Sequence, residues 1–283
     1  MLNKIFNIII CVGVPYIAIT WSFRKFGTAI GFGVTILCFM ALFLFFRPKI
    51  YTILGRNKYL TNHDAGFKYM EKAYQTGKMN PQDILIYAYM LIRDGHLVKA
   101  ERLIAGTLHQ NKNKLSEKNI LAADLNTAII LWKRNNLEGA IEKMENVYNT
   151  GYRSTVLYQT LGLFYILSGN SEKAESFMNE AMDYNSDDVS IRDNLGFLYI
   201  KKGEFEKSKE IYDKIFEDTT PNFIEAFYNY GYCLEQTGDL EKAQSYYQKA
   251  LGCPERFLST VKLSLVEASL TRVEELLGTS TEA

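Results

Sequence analysis

The chain has 283 residues, 47% of them of apolar type, with 32 lysines and arginines, 32 aspartates and glutamates and four cysteines. Its formal charge of zero is a cancellation: residues 1–60 hold seven cations (Lys4, Arg24, Lys25, Arg47, Lys49, Arg56, Lys58) and no acid, which leaves 25 cations against 32 acids beyond them. A mildly acidic remainder argues against nucleic acid as a partner, since phosphate binding needs a clustered basic face. No CxxC pair or Cys/His ligand spacing occurs, so the cysteines read as reduced thiols rather than a disulfide framework or zinc site.

Two uncharged runs open the chain, residues 5–23 and 26–46. Each is close to the roughly 20 residues that cross a bilayer as a helix. Arg24 and Lys25 between them leave room for a tight turn only, so residues 1–50 are expected to form a transmembrane helical hairpin. No small-residue cleavage site follows the first run and a second run does, which favours retention in the membrane over removal as a signal peptide. Five flanking cations at the two ends against two at the turn place both ends in the cytoplasm. The expectation is a two-span protein of the cell membrane with the remainder cytoplasmic, and its Ile, Lys, Asn and Tyr usage points to a bacterium. Gly27, Gly31 and Gly33 form a small-residue stripe for membrane helix packing, against the first helix of the hairpin or against another membrane protein.

Residues 51–80 read as a juxtamembrane segment and an N-terminal capping helix. The stretch DAGFKYMEKA (64–73) looks like a second helix without its partner, with Ala65 standing 35 residues before Ala100.

From residue 81 a six-residue phrase recurs: GHLVKA at 95–100, NNLEGA at 135–140, GNSEKA at 169–174, GEFEKS at 203–208 and GDLEKA at 238–243, with steps of 40, 34, 34 and 35. A period near 34 means one supersecondary unit copied and stacked. In the last unit Gly238 supplies the left-handed residue that ends a first helix. Asp239 caps the second helix, whose inner face carries Ala243, Tyr247 and Ala250. Gly231 and Ala243 fall where the two helices cross and must stay small. Gly162 with Ala174, Gly196 with Ser208, Ala128 with Ala140 and Ala88 with Ala100 fill the same positions. The 40-residue step predicts an insertion in the polar stretch 110–118. Beyond about residue 257, Phe257, Val261, Leu265, Ala268 and Val273 at helical spacing predict a C-terminal capping helix over 258–278, followed by a disordered tail at 279–283.

The small residue at the crossing, the turn glycine, the alanine opening the second helix and the later aromatic and alanine resemble the tetratricopeptide repeat family over residues 81–257. About five repeats are present. The family's early tryptophan is replaced by Tyr158, Arg192 and Phe227, and its terminal proline survives only approximately as Pro221 and Pro254. The resemblance implies an all-α fold, a right-handed α-solenoid of helix-turn-helix repeats preceded by the transmembrane hairpin. It also implies a groove lined by first helices that binds a protein or peptide segment. Mapped onto this sequence, the groove positions are Tyr89, Arg93, Asn126, Ile129, Trp132, Lys133, Gln159, Leu163, Ile166, Asn194, Phe197, Ile200, Tyr228, Asn229 and Tyr232. The recurring Asn126, Asn194 and Asn229 read either as amides for a ligand backbone or as hydrogen bonds between helices. The positions at which some family members clamp a terminal carboxylate carry Leu85, Leu125, Asn126, Val156 and Thr160, so that ligand class is disfavoured.

No nucleophile elbow, phosphate loop or HExxH motif occurs; His63, His96 and His109 are scattered, and Asp187 and Asp188 read as helix caps. Neither catalysis nor a cofactor is expected. The sequence predicts a membrane-tethered scaffold that recruits a protein segment. The alternatives are a structural subunit with the solenoid as spacer, and an extracytoplasmic protein of envelope assembly.

Overall fold

The computed structural model describes residues 12–281. Residues 5–11 of the expected first span, Lys4, Cys11 and the last two residues of the expected tail lie outside that range. Among the described residues the protein is all-helical, with no strand. It divides into two compact units, up to Tyr87 and from Ala88 onward.

The first unit is built on α1, Val14–Thr61, an apolar helix interrupted at Gly27 (φ 78°, ψ −177°). That conformation falls to glycine because a Cβ is strained at positive φ. In a straight helix Phe23 and Gly31 would be about 12 Å apart along the axis. Here a Cβ built on Gly31 would lie 2.4 Å from the Phe23 ring, and the Phe23 and Phe32 ring centroids are 5.4 Å apart. The helix therefore bends sharply at Gly27, two residues beyond the Arg24–Lys25 pair. Gly33 meets nothing within 4 Å.

Beyond the bend the helix does not stop at residue 46. It continues through Pro48, whose carbonyl accepts from Thr52 Oγ1 at 2.9 Å, and reaches Thr61. The last part of α1 supplies the partner that the sequence pattern did not show for the capping helix α2, His63–Gln75. A Cβ on Gly55 would lie 2.7 Å from the Met70 side chain, and one on Gly66 would lie 2.3 Å from the Tyr59 backbone nitrogen. Gly66, not Ala65, is thus the small residue of the crossing, 34 residues before Ala100. Gly55 stands 33 residues before Ala88. A helix pair of repeat construction is thereby fused to the end of the apolar helix. Its signal was hidden because its first helix has no start of its own.

The second unit begins within α3, Pro81–Arg93, and continues with α4 (Leu97–Asn111), α5 (Glu117–Lys133), α6 (Leu137–Asn149), α7 (Thr155–Leu167), α8 (Ser171–Tyr184), α9 (Val189–Lys202), α10 (Phe205–Asp218), α11 (Ile224–Gln236), α12 (Leu240–Leu251) and α13 (Leu263–Thr281). The helix pairs close through one repeated contact. A Cβ on Gly162 would meet Met178 at 2.5 Å, on Gly196 Tyr212 at 2.6 Å, and on Gly231 Tyr247 at 2.9 Å. Gly55 against Met70 in the first unit is the same contact.

Four of the turns end a helix with a left-handed residue, Gly95, Asn135, Gly203 or Gly238, and the next residue's N–H bonds back to the carbonyl five residues before it. Gly238 has φ 87°, and Asp239 N donates to Leu234 O at 2.9 Å. In the degenerate second copy Asn135 takes that conformation instead (φ 62°), as the residue type best able to replace glycine there. Side-chain caps follow the turns: Asn136 accepts from Gly139 N, Asn170 from Lys173 N and Asp239 from Lys242 N. Asp188, but not Asp187, caps α9 through Ile191 N at 2.9 Å.

The 40-residue step is absorbed by longer helices instead of a polar insertion. α4 has 15 residues and α5 has 17, with a short 3-10 turn at Lys112–Lys114, buried Leu115 and a Ser116 cap between them.

At the C-terminal end α13 starts at Leu263, later than expected; of the expected apolar set Val261 and Val273 are buried, whereas Leu265 and Ala268 are exposed and Val266 and Ser269 are buried in their place. Residues 279–281 are helical. The segment 252–262 that precedes α13 is not helical and forms a strap. Its Thr260 N donates to Glu225 Oε1 at 2.8 Å, and Glu255 holds both Lys262 Nζ and the Leu263 backbone N at 2.9 Å.

Candidate functional site

The first helices α5, α7, α9 and α11 share one face, and the mapped positions distribute unevenly on it. Ile129 and Ile166 are buried and belong to the helix packing. Trp132 is half-buried against Phe164, with ring centroids 5.3 Å apart. Tyr89, Asn126 and Leu163 are partly exposed, and Arg93 lies over the Tyr89 ring at 6.0 Å.

The amides of the later repeats are used between helices. Asn194 Nδ2 donates to the Gln159 carbonyl at 2.7 Å, Gln159 Nε2 donates to Asp188 Oδ1 at 2.8 Å, and Asn229 Nδ2 donates to Asp193 Oδ1 at 3.3 Å. Of the two readings of the asparagine series, these bonds are the helix-to-helix one. They tie each first helix to the next, because a buried amide must find a partner.

Behind that ladder Asp193 is buried, and its Oδ1 also accepts from Tyr212 Oη at 2.8 Å. Loss of water pushes its carboxyl up to about 7; Tyr212 and Asn229 oppose that rise and Glu225 adds to it. Cys233 Sγ donates to Ser208 Oγ at 3.0 Å, and its thiol is pushed up to about 12 by burial. A buried thiol of that kind is inert. Among the described residues no group of His, Cys, Asp and Glu could hold a metal ion.

The open part of the face is a cavity of about 480 Å³ between α7, α9, α11, the strap and the start of α13. It is lined by Leu167, Phe197, Ile200, Lys201, Tyr228, Asn229, Tyr232, Thr260, Val261 and Leu265. The structure therefore brings Phe197, Ile200, Tyr228, Asn229 and Tyr232 together. Tyr228 and Tyr232 are stacked at 6.4 Å, and Phe205 stands edge-on to Tyr232 at 6.0 Å.

Sequence reasoning missed Leu167, Lys201 and the strap wall. The first two fall five residues after Gly162 and Gly196, a position open to inspection by period. The strap has no repeat, so no periodic signal could have placed it. The strap also carries Phe257 to the first repeats: a Cβ on Gly95 would lie 3.0 Å from its ring, and Lys133 Nζ lies 5.4 Å from its centroid and 4.1 Å from that of Trp132. Lys133 is pushed down to about 8, first by loss of water and then by Lys262, with Glu225 opposing.

The tetratricopeptide repeat profile matches residues 156–188, 189–217 and 224–252, the stretch that holds these three crossings. These segments are tetratricopeptide repeats. A TPR repeat-containing protein of Methanocaldococcus jannaschii is 25% identical over 177 residues, 61% of this chain; the match spans about a third (31%) of that relative's length. Among solved structures, a thermophilic TPR protein of Thermus thermophilus is similar at a TM-score of 0.51 and 20% identity, over 72% of this chain and 98% of the other. The Cut9-Hcn1 hetero-tetramer of the APC/C is similar at 0.56 and 12%, over 95% of this chain and 47% of the other. At these identities the two likenesses speak for the fold.

Proposed function

We propose that the protein is a membrane-tethered tetratricopeptide scaffold that binds a protein or peptide segment on the face of its first helices and recruits it to a membrane complex. The observation that carries the binding half is the cavity walled by Phe197, Tyr228 and Tyr232. A concave apolar site with a few polar groups is what an amphipathic or extended segment needs. Lys201, which is exposed, supplies a cation at its rim.

The tether rests on α1. One described helix, Val14–Tyr59 in its apolar extent, is long and apolar enough to cross a membrane, and its apolar window is almost uncovered by the rest of the protein. Ile36 and Phe39 are about two-thirds exposed (67% and 66%). In water such a surface would be an aggregation site; in a bilayer it is the stable arrangement. Thr20, Ser22 and Thr35 turn their hydroxyls back onto the carbonyls of Tyr16, Ile19 and Gly31, so none needs water within the span. The bend at Gly27 would serve as the hairpin turn and Arg24 with Lys25 as its cationic cap, leaving the repeats in the cytoplasm. The match of Gly31 to Phe23 supports packing within the hairpin.

A photo-crosslinker placed at Tyr232 of the full chain in cells tests the face. It should capture protein partners that the same group at Lys207, outside the cavity, does not. Equal capture at both positions would refute the assignment. Labelling of a C-terminal cysteine by an impermeant reagent in intact cells would overturn the orientation.

The spacer reading draws on a different observation, the continuity of α1 from the apolar run into a repeat-like helix pair. A continuous helix would hold that pair at a fixed distance from the membrane.

A further inference from the structure

The strap is braced by its own bonds. At its base the Glu255 carboxylate accepts from Lys262 Nζ through one oxygen and from the Leu263 backbone N through the other, both at 2.9 Å. Within that loop Ser259 N donates to Arg256 O at 3.0 Å and Arg256 N donates to Ser259 Oγ at 3.3 Å, a turn that puts Phe257 and Leu258 at its tip. These bonds all lie within the strap and the start of α13, so the shape of the loop does not depend on where its tip lies. The base is held to the last repeat. Val261 is buried in the apolar cluster of Phe227, Tyr230 and Tyr247, and Thr260 N donates to Glu225 Oε1 at 2.8 Å at the start of α11.

The tip is held differently. Phe257 reaches back to the first repeats, where its ring lies on Gly95 in the turn between α3 and α4; a Cβ there would be 3.0 Å from the ring. Lys133 Nζ stands 5.4 Å from the centroid of the same ring and 4.1 Å from that of Trp132. Bare glycine backbone, an ammonium within reach of a ring face and a neighbouring indole make a place for an aromatic side chain. Phe257 fills it while keeping 39% of its surface exposed, against 6% for Val261. An aromatic ring built into a packed core is covered far more completely, so Phe257 is docked on the face rather than part of the core.

We infer that the strap is an autoinhibitory latch: Phe257 occupies an aromatic subsite formed by Gly95, Trp132 and Lys133, and a protein segment bound along the first-helix face takes that subsite with an aromatic side chain of its own, displacing Phe257. The inference rests on the binding face proposed above and adds how that face is regulated. Lys133, Leu167 and Lys201 hold the same position of successive first helices, five residues after Ala128, Gly162 and Gly196. The cavity wall at Leu167 and Lys201 therefore continues onto Lys133. A segment leaving the cavity along this row arrives at the place that Phe257 holds. An anchored base and a half-covered tip let the tip lift while Val261 stays in the core. Because the latch is tethered to its own subsite, it competes at high effective concentration, and a segment without a ring to offer does not replace it.

The probe is a fluorescent peptide with the strap's own sequence, residues 254–262 (PERFLSTVK), titrated with the full chain in detergent micelles and read by anisotropy. It should bind the F257A variant, whose subsite is free, at least tenfold more tightly than the parent, whose subsite is filled. The preference should vanish when the Phe of the peptide is replaced by Ala, and when K133Q is added to F257A. Equal binding to the parent and F257A would show that Phe257 blocks nothing. A preference that survives loss of the peptide's Phe would show that the site does not select a ring, and binding to neither protein would show that the strap is not a displaceable ligand. F257A should keep the helical circular dichroism of the parent; loss of that signal would make Phe257 a core residue. Each of these results overturns the latch and leaves the binding face standing, and the crosslink from Tyr232 decides separately whether that face binds protein at all.

Discussion

Where the helix pairs stack and where the first helices face outward, the repeats treat the same residue types in opposite ways. Along the stack, Arg134, Arg192 and Lys202 reach acids of neighbouring helices, and amides are spent on the next helix. On the first-helix face, Lys133 and Lys201 lie over the rings of Trp132 and Phe197. The stack satisfies these groups internally, whereas the face keeps an open cavity lined by aromatic rings. The variants that follow would sharpen that contrast or erase it.

The largest effect belongs to the interior. Leu161 is fully buried, and Leu161→Ala should lower stability by about 2–5 kcal/mol through lost transfer energy and a residual cavity, read by thermal unfolding of the full chain in detergent. Ile36→Ala, on the uncovered part of α1, should leave the unfolding of the repeats unchanged. Equal effects would mean that the apolar helix is part of a packed core.

Next is the pH dependence from Asp193. Its folded value of about 7 lies above the usual carboxylate range, so the native state binds a proton that the unfolded chain has released. Stability from this group is complete below about pH 4 and is lost as pH rises through 7, a fall on the order of 4 kcal/mol. Glu145, Glu180, Asp239 and Glu255 are shifted downward and act in the opposite sense. The measurement is therefore the difference between the protein and Asp193→Asn, taken from pH 4 to 8. A flat difference would show that the Tyr212–Asp193–Asn229 cluster does not hold a neutral acid.

Smaller still is the crossing. Gly196→Ala places a methyl group 2.6 Å from the Tyr212 ring, and overpacking of this kind costs about 1–3 kcal/mol. Denaturant unfolding should show a shifted midpoint with an unchanged slope. The smallest effect is expected from Arg134→Gln, whose pair with Glu101 is exposed. Surface pairs contribute little, so its melting temperature should match that of the parent. A large loss there would mean that ion pairs, rather than apolar burial, hold the stack.

Much of this was legible in the residues. The turn glycines, the capping Asp239 and the crossing pairs Gly162 with Ala174 and Gly231 with Ala243 follow from local rules that leave few alternatives: positive φ, an orphan helix N–H, and a close approach of two axes. The aromatics at 197, 228 and 232 were found because the period carries one helix onto the next. Ile129 and Ile166 show where that reasoning stops, since a one-residue rotation of a helix exchanges core for surface and the sequence period does not resolve it. The partner of α2 escaped notice because it shares a helix with the apolar run, and Gly55 was the one residue able to reveal it. The placement of Phe257 had no local signal at all.

By itself the sequence determined the helix pairs, their turns, the number of strong copies and an apolar N-terminal helix, because each depends on chain-local chemistry repeated at a fixed spacing. Tertiary structure alone decided that the asparagine amides point into the stack, that Asp193 is buried behind them, and that the strap folds over the first-helix face. These depend on which distant groups meet, and a hydrogen bond or a desolvated charge exists only once its partner has been brought within reach.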